Sequence, residues 1–136
     1  MIVVLDSCAL IAFFRNEEGS AVVLDLLNKA KESGIEVLVH RVTIFEVFYD
    51  TLRTSGSEYA SLILQDITNF PLRVINDLSD EILVAHGYFK IHYRLSFADC
   101  FVLSLAQLKG ASVVTTDHHE FDAVEKAGAC SFLWLR

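Results

Sequence analysis

The chain begins MIVVLDSCALIAFF, where a β-branched apolar run, Ile2–Leu5, ends at one carboxylate, Asp6, and a second apolar stretch follows. An apolar run without polar alternation is typical of a strand in a parallel sheet, because both faces of such a sheet are covered. Parallel strands need crossover connections, which are usually helices. This segment therefore indicates an α/β fold, with Asp6 at the point where a central strand gives way to a helix.

The rest of the sequence continues this alternation. Further strands are predicted at residues 36–39, 72–75, 112–115 and 131–135. Helices are predicted at residues 8–14, 21–31, 43–53, 57–69, 79–93, 96–109 and 120–126. Elements of these lengths in this order imply right-handed crossovers and a three-layer α/β/α fold with a central parallel sheet of about five strands. The order of the strands does not follow from the sequence.

Polar residues mark the predicted helix starts. The segments TIFE, at 43–46, and SFAD, at 96–99, have the spacing of a capping box, in which the first side chain binds the backbone of the first turn. Gly110 is predicted to end the helix that SFAD opens. Three further serines are predicted to be N-caps: Ser20, Ser57 and Ser79.

Length and composition favour one domain over residues 1–136, with a hydrophobic content of 53%. No apolar run approaches the ~18 residues that a membrane span requires. The N-terminus lacks the basic region of a signal peptide. The three cysteines have no CxxC spacing, which argues against a disulfide scaffold or a structural zinc site. We therefore expect a cytoplasmic protein without a membrane partner.

The formal net charge of −7 disfavours a nucleic-acid partner when it is taken as an average. The average misleads if several carboxylates sit together around divalent cations, because bound ions are often the largest local charges in a site. Whether the protein can bind a nucleic acid therefore depends on where its acidic residues lie.

Four acids fall next to predicted strand or helix ends: Asp6, Glu46, Asp99 and Asp117. Asp6 and Asp117 follow the first and fourth strands, and Glu46 starts a helix after the second strand. The carboxyl ends of parallel strands meet at one edge, where ligands bind. Asp99 reaches that edge only if an extra helix reverses the chain once. Each acid alone has an ordinary alternative, as a helix-start residue or a turn residue.

Taken together, the four acids predict a metal site. Converging carboxylates repel one another and raise each other's pKa unless a cation holds them. Oxygen ligands without Cys or His suit Mg²⁺ or Mn²⁺. Such an ion can activate a water and stabilise an in-line phosphoryl transition state.

The segments VVLDSCALI, TIFEV, SFADCFVLSLA and VVTTDHHEF occur in this order across nearly the whole chain. In sequence, spacing and context they resemble the PIN domain family, most closely the short VapC-type toxins. The resemblance implies a metal-dependent endoribonuclease that hydrolyses phosphodiester bonds in RNA with Mg²⁺ or Mn²⁺. It also implies that the protein is a toxin and often forms a homodimer. A cognate antitoxin would block its site.

Residue by residue, the resemblance assigns the catalytic and metal positions to Asp6, Glu46, Asp99 and Asp117. Asp6 would bind the first ion with Asp99 and Asp117, and Glu46 would bind a second ion or act as a base. The hydroxyls that match supporting positions belong to Ser7 and Thr115. The sequence departs from the family at position 120, which is Glu where related chains often have Asp. We interpret Glu120 as a helix-start residue, with an outer ligand as the alternative.

Other residues give weaker signals. The candidate RNA-binding cations are Arg15, Arg41 and Arg94, each near a helix end or a loop. His118 and His119 follow Asp117 directly and are interpreted as exposed turn residues, with RNA contact or metal binding as the alternative.

Two other functions remain open from the sequence. One is an RNA-processing PIN nuclease without an antitoxin, which the sequence does not separate from a toxin. The other is an aspartate-based phosphotransfer domain. A dehalogenase-type phosphotransfer site needs a second Asp two residues after the first, and Cys8 stands there, so the second alternative is disfavoured.

Overall fold

A computed structural model describes all residues, 1–136, and contains five strands and seven helices. None of the seven helices combines the length and apolarity needed to cross a lipid bilayer. The elements in chain order are β1 (Ile2–Leu5), α1 (Ser7–Phe14), α2 (Ser20–Lys31), β2 (Glu36–His40), α3 (Arg41–Ser55), α4 (Ser57–Asn69), β3 (Arg73–Ile75), α5 (Asp80–His92), α6 (Phe97–Lys109), β4 (Ser112–Thr115), α7 (His118–Lys126) and β5 (Ser131–Trp134).

The five strands form one parallel sheet in the order β3-β2-β1-β4-β5. In the centre of the sheet, Val4 of β1 lies opposite Leu38 of β2 on one side and Val113 of β4 on the other. The chain winds outward from β1 to β3 and then returns to the other side of β1. The strand order therefore reverses between β1 and β4, and the crevice at such a reversal is where open α/β sheets bind ligands.

Two apolar cores cover the two faces of the sheet, as predicted for a three-layer fold. Val3 and Leu5 point to a core that α1, α2, α3 and α4 complete. Val4, between them, points to the opposite core, which α5, α6 and α7 complete. This alternation along β1 follows from the period of two in a strand. Because both faces are covered, both sets of side chains are apolar, which explains the unbroken run in the sequence.

The start of α3 differs from the prediction. Helix α3 begins at Arg41, directly after β2, and its N-cap is His40, whose Nδ1 accepts a hydrogen bond of 3.1 Å from the Val42 N–H. The predicted capping box at 43–46 is therefore wrong, because Thr43 lies inside the helix and is buried. Glu46 consequently lies in the second helical turn instead of the first.

Other helix ends agree only in part with the sequence. The Ser96 cap is confirmed, since its Oγ accepts a 3.1 Å hydrogen bond from the Asp99 N–H, and Gly110 ends α6 in a left-handed conformation. Ser79 is the N-cap residue of α5, as predicted, but its side chain makes no capping hydrogen bond. The predicted caps Ser20 and Ser57 are wrong, because each is the first helical residue and a glycine precedes it as the N-cap.

Gly19 provides a test of the packing between the two ends of the chain. Its φ of +96° is left-handed, and a Cβ added there would lie 2.6 Å from Leu135 Cβ. We predict that Gly19→Ala lowers the free energy of unfolding by about 3 kcal/mol, because backbone strain adds to the overlap. Gly110→Ala, also at positive φ but in open space, should cost only about 1 kcal/mol. Equal losses in urea unfolding would contradict this packing.

Candidate metal centre

Asp6 stands at the end of β1 and is the N-cap of α1. Its Oδ1 accepts a 2.8 Å hydrogen bond from the Ala9 N–H, and its side chain is almost completely enclosed, with 1% exposure. The sequence dictates this position, because the carboxylate of an N-cap satisfies a backbone N–H of the first turn that has no helical partner. Ser7, the first residue of α1, is buried beside it.

Thr115 connects Asp6 to the end of the neighbouring strand. Its hydroxyl donates a 2.5 Å hydrogen bond to Asp6 Oδ2 and accepts a 2.9 Å hydrogen bond from the Asp117 N–H. Because Thr115 ends β4, this pair of bonds holds the carboxyl ends of β1 and β4 together at the reversal of strand order. The supporting hydroxyl that the sequence placed at Thr115 thus has a defined partner.

Three carboxylates converge beside this pair. One carboxylate oxygen from each of Asp99, Asp117 and Glu120 lies within 4.8 Å of the others. Asp99 is in the first turn of α6, and Asp117 is the N-cap of α7, where its Oδ1 accepts a 3.1 Å hydrogen bond from the Glu120 N–H. The starts of two helices therefore meet here, and the reversal that Asp99 required is present.

The pKa values of the buried acids show the cost of this arrangement. Burial raises the pKa of Asp6 from 3.8 to about 7, and the charges of Asp99 and Asp117 raise it further against two stabilising hydrogen bonds. Burial also raises the pKa of Asp99 to about 7, and the nearby charges of Glu46, Glu120 and Asp117 contribute. Without a cation, both carboxyl groups therefore keep a proton to a higher pH than an ordinary aspartate does.

Glu46 lies near this group but outside the closest set. Its charge is one of those that raise the pKa of Asp99, and its side chain is half-buried on α3. The four acids selected from the sequence are thus brought to one edge of the sheet. Asp99 and Asp117 make the tight cluster, Asp6 joins it through Thr115, and Glu46 approaches Asp99 from the second turn of α3.

The family model of the PIN domain matches residues 3–127. The chain belongs to the PIN domain family.

Solved structures of low sequence identity share the fold of this PIN domain. VapBC2 from Rickettsia felis, bound to a DNA fragment from its promoter, has 18% identity and a TM-score of 0.76, and the alignment covers 98% of each chain. DNA-bound VapBC from Salmonella typhimurium has 15% identity and a TM-score of 0.75, with coverage of 100% of this chain and 99% of that chain. VapC20 from Mycobacterium tuberculosis, described as a Sarcin-Ricin loop cleaving toxin, has 16% identity and a TM-score of 0.67, with 90% and 94% coverage. A comparison with curated protein sequences finds no match.

Glu120 contributes more to the site than we inferred from the sequence. It does start a helix, as interpreted, but its side chain also joins the cluster, and its Oε2 is buried without a hydrogen-bond partner. A buried carboxylate oxygen without a partner is costly unless a cation satisfies it. The signal in the sequence was its spacing of three from Asp117, which places both acids at one helix start. Together with the all-oxygen donor set, this orphaned atom fits a hard divalent cation.

Cys8 and the two histidines do not add ligands to the PIN domain cluster. Burial, followed by the charges of Asp6, Asp117 and Asp99, raises the pKa of the Cys8 thiol to about 12, so it stays neutral. His118 and His119 are exposed, as interpreted, but they begin α7 and are therefore not turn residues.

The His118 side chain is held on the outer side of α7. Its Nδ1 lies 2.7 Å from Asp122 Oδ1, its Nε2 lies 2.8 Å from the Arg136 carbonyl oxygen, and its ring stacks on Trp134. Both ring nitrogens face acceptors, and these contacts raise the pKa of His118. The ring therefore fixes α7 against the end of β5.

The three predicted RNA-binding cations have different surroundings. Arg15 is engaged within the fold, where its Nη2 donates to Asp50 at 2.9 Å and to Thr54 at 3.1 Å. Arg41, at the start of α3, donates from Nε to Asn76 at 2.9 Å. The side chain of Arg94 is exposed in the loop before α6. Arg15 thus has a structural partner, whereas Arg94 is open to solvent.

The raised pKa of Asp6 gives a pH test of the metal-free protein. The folded pKa is about 7 and the ordinary value is 3.8, so the unfolded chain releases this proton first. We predict that the stability of the metal-free protein falls by at least about 1 kcal/mol between pH 5 and pH 8. Asp6→Asn should flatten this fall and stabilise the protein at pH 8, as measured by urea unfolding in EDTA.

The matched control is Asp66→Asn, which removes an exposed carboxylate from α4. That variant should keep the pH dependence of the wild type. An Asp6→Asn protein whose stability falls as steeply as the wild type would show that the Asp6 carboxyl does not titrate in this range.

Proposed function

We propose that this PIN domain is a metal-dependent endoribonuclease. The observation that carries the proposal is the cluster of Asp99, Asp117 and Glu120 with its buried, unpaired carboxylate oxygen, at the reversal of strand order in the sheet. A cluster of this kind can hold a hard cation, and family membership provides the reaction class, cleavage of phosphodiester bonds.

In this proposal, Asp99, Asp117 and Glu120 hold the ion, which is Mg²⁺ or Mn²⁺ because every donor is a carboxylate oxygen. When bound, the ion supplies an activated water and stabilises charge on the phosphoryl oxygens. At the start of α7 the Glu120 N–H donates to the Asp117 carboxylate, and at the start of α6 the Asp99 N–H donates to the Ser96 hydroxyl, so both helix starts are fixed beside the cluster. The residue at position 120 therefore belongs to the site despite its departure from the family pattern.

Asp6 and Glu46 complete the catalytic set. Each Asp6 oxygen accepts one hydrogen bond, which leaves lone pairs that can bind an ion, and Thr115 and Ala9 fix their direction. Glu46 is half-buried near Asp99 and is the acid best placed to accept the proton of the attacking water or to bind a second ion. Ser7, buried beside Asp6, supports this arrangement by packing.

The substrate in this proposal is RNA. The family resemblance and the description of VapC20 as a Sarcin-Ricin loop cleaving toxin support this substrate class. A protein of net charge −7 must still attract a polyanion, and a bound divalent cation at the cluster lowers the local negative charge. Arg41 is exposed at the start of α3, and Arg94 is exposed in the loop that leads to the Ser96 cap of α6, so either can contact backbone phosphates.

We also infer that the protein is the toxin of a type II toxin–antitoxin pair and forms a homodimer. The neighbours in fold include toxin–antitoxin complexes, such as VapBC from Salmonella typhimurium. This chain exposes apolar side chains on α3 and α4, here called the α3–α4 surface: Phe45, Tyr49, Leu52, Tyr59, Leu62 and Leu64. A groove of about 220 Å³ lies in this surface next to Arg41 and is lined mainly by apolar residues. It suits the apolar side of an antitoxin helix.

The processing nuclease without an antitoxin is the second candidate function. It uses the same cluster and the same chemistry. The extent of the α3–α4 surface favours the toxin, because a nuclease that acts alone has no need of an uncovered apolar surface beside its site.

The proposal predicts RNA cleavage that depends on both the metal and Glu120. Purified protein should cleave single-stranded RNA with Mg²⁺ or Mn²⁺ and should lose activity in EDTA. Asp6→Asn and Glu120→Gln should each lower the rate on the order of 100-fold, because Glu120 holds the ion and Asp6 offers a further carboxylate beside it.

Glu58→Gln is the matched control, since it changes an exposed glutamate on α4, away from the cluster. It should cleave at the wild-type rate. Activity that survives EDTA, or that is retained by Glu120→Gln, would remove the metal cluster from the mechanism.

A growth assay separates the toxin from the processing nuclease. Induced expression of the wild type in a bacterial host should arrest growth, whereas Glu120→Gln should not, because arrest requires cleavage. The wild type and Glu120→Gln should reach the same protein level on a blot. Normal growth with an enzyme that is active in vitro would favour the processing nuclease.

A further inference from the structure

A recess of about 370 Å³ lies between the start of α5 and the start of α6, and is here called the α5–α6 recess. Three of its lining side chains are buried and three are largely exposed, so it has a closed inner part and an open mouth. The buried ones are Ile82, His86 and Phe101, and the exposed ones are Leu78, Leu83 and Phe97. No acid lines this recess, although the protein is acidic overall.

The α5–α6 recess lies at the same edge of the sheet as the acidic cluster. His40, at the end of β2, pairs with Ile75, at the end of β3, so the loop that contains Leu78 leaves the sheet at its carboxyl edge. Phe97 is the first residue of α6, and Asp99 of the cluster follows two positions later, about 3 Å along the helix axis. An RNA strand with a phosphate at the cluster therefore has a neighbouring nucleotide within reach of the recess.

The aromatic rings in the recess provide a surface on which a flat ligand can stack. The Phe97 ring contacts the His86 ring at a centroid distance of 4.5 Å and the Phe101 ring at 5.3 Å, both at steep angles. These contacts support the Phe97 ring from inside, yet the residue is 63% exposed. An exposed aromatic ring that is held in place by others is what a single-stranded nucleic acid uses as a stacking platform.

His86 gives the recess one specific polar group. Its Nε2 lies 2.9 Å from the Phe97 carbonyl oxygen, which can only accept, so Nε2 is the donor. In the neutral ring, Nδ1 is then an acceptor, and it makes no hydrogen bond within the chain. Because His86 lines the recess, this acceptor suits a flat ligand with an N–H group on its edge. Every nucleobase carries such an amino or imino group.

Two arginines flank the recess along the chain. Arg41 donates from Nε to Asn76 at 2.9 Å, which ties this cation to the loop two residues before Leu78. Arg94 is exposed three residues before Phe97. Cations near an aromatic recess that has no acid match a base between two phosphates. This charge pattern favours a nucleic acid over a second protein surface as the occupant.

We propose that the α5–α6 recess binds one unpaired nucleobase of the RNA, from a nucleotide next to the cleaved phosphate. The base stacks on the Phe97 ring, and one of its N–H groups donates to His86 Nδ1. Arg41 and Arg94 contact the phosphates on either side. This inference rests on the proposed ribonuclease function and adds to it a requirement for a base at one fixed position of the substrate.

The test uses short single-stranded RNAs in which one nucleotide at a time lacks its base. With Mg²⁺, the wild type should lose about tenfold in kcat/KM when the base is missing at one position beside the cleaved bond, and little elsewhere. Phe97→Ala should lose about tenfold on intact RNA and should no longer respond to the missing base, because the stacking surface is gone. Phe97→Trp keeps a ring there and should restore both the rate and the dependence on the base.

The matched control is Tyr88→Ala, which removes an aromatic ring of 49% exposure from α5 outside the recess. It should cleave like the wild type and keep the dependence on the base. Phe97→Ala should also keep the wild-type urea unfolding curve, because the residue is largely exposed.

Three results would overturn the proposal. The first is a wild type that tolerates a missing base at every position, and the second is a Phe97→Ala protein that keeps the base dependence. The third is a change of oligomeric state in Phe97→Ala, measured by sedimentation, which would assign the recess to a second copy of the chain.

Binding separates this inference from the proposed nuclease function. Fluorescence anisotropy with the same labelled RNAs and Mg²⁺ needs no cleavage, and intact RNA should bind the wild type more tightly than RNA without the critical base. Base-dependent binding without cleavage would support the recess and contradict the nuclease. Cleavage that ignores every missing base would support the nuclease and contradict the recess.

Discussion

The buried carboxylate of Asp6 is the constraint on which the centre of this fold depends. It starts α1 through Ala9 and accepts the Thr115 hydroxyl, so it joins β1, α1 and β4 at one point. A carboxylate that is almost fully enclosed is costly to keep ionised. Its retention makes sense when the site binds a cation, because the ion offsets a burial that two hydrogen bonds offset only in part.

The acids next to Asp6 also carry negative charge that is costly to bury. Asp99 and Asp117 lie at helix starts, where the helix dipoles and free backbone N–H groups stabilise negative charge. These local interactions do not satisfy the buried oxygen of Glu120, and burial together with the neighbouring charges raises the pKa of Asp99 to about 7. The fold therefore concentrates more negative charge than its own hydrogen bonds neutralise. Under the proposed function, stability and catalysis are coupled, since the cation that would support catalysis would also remove this repulsion.

The sequence predicted the sheet and the edge at which the main acids lie, because both follow from local patterns, whereas the roles of these acids stay a prediction. Apolar β-branched runs determine strands such as β1, and an acid after a strand must lie at the carboxyl edge. The start of α3 was predicted wrongly because its N-cap is His40. The His40 ring is held by the Asp77 carbonyl, which lies in the loop after β3. The inward direction of Glu120 and the pairing of Arg15 with Asp50 likewise depend on contacts distant in sequence.

The proposed function requires one divalent cation between Asp99, Asp117 and Glu120 at the end of β4. Anomalous X-ray scattering from a crystal containing Mn²⁺ would locate this ion. We predict an anomalous peak within about 2.5 Å of a carboxylate oxygen from each of these three residues. A crystal that binds Mn²⁺ only elsewhere, or that shows no peak between the three carboxylates at saturating Mn²⁺, would exclude this metal site.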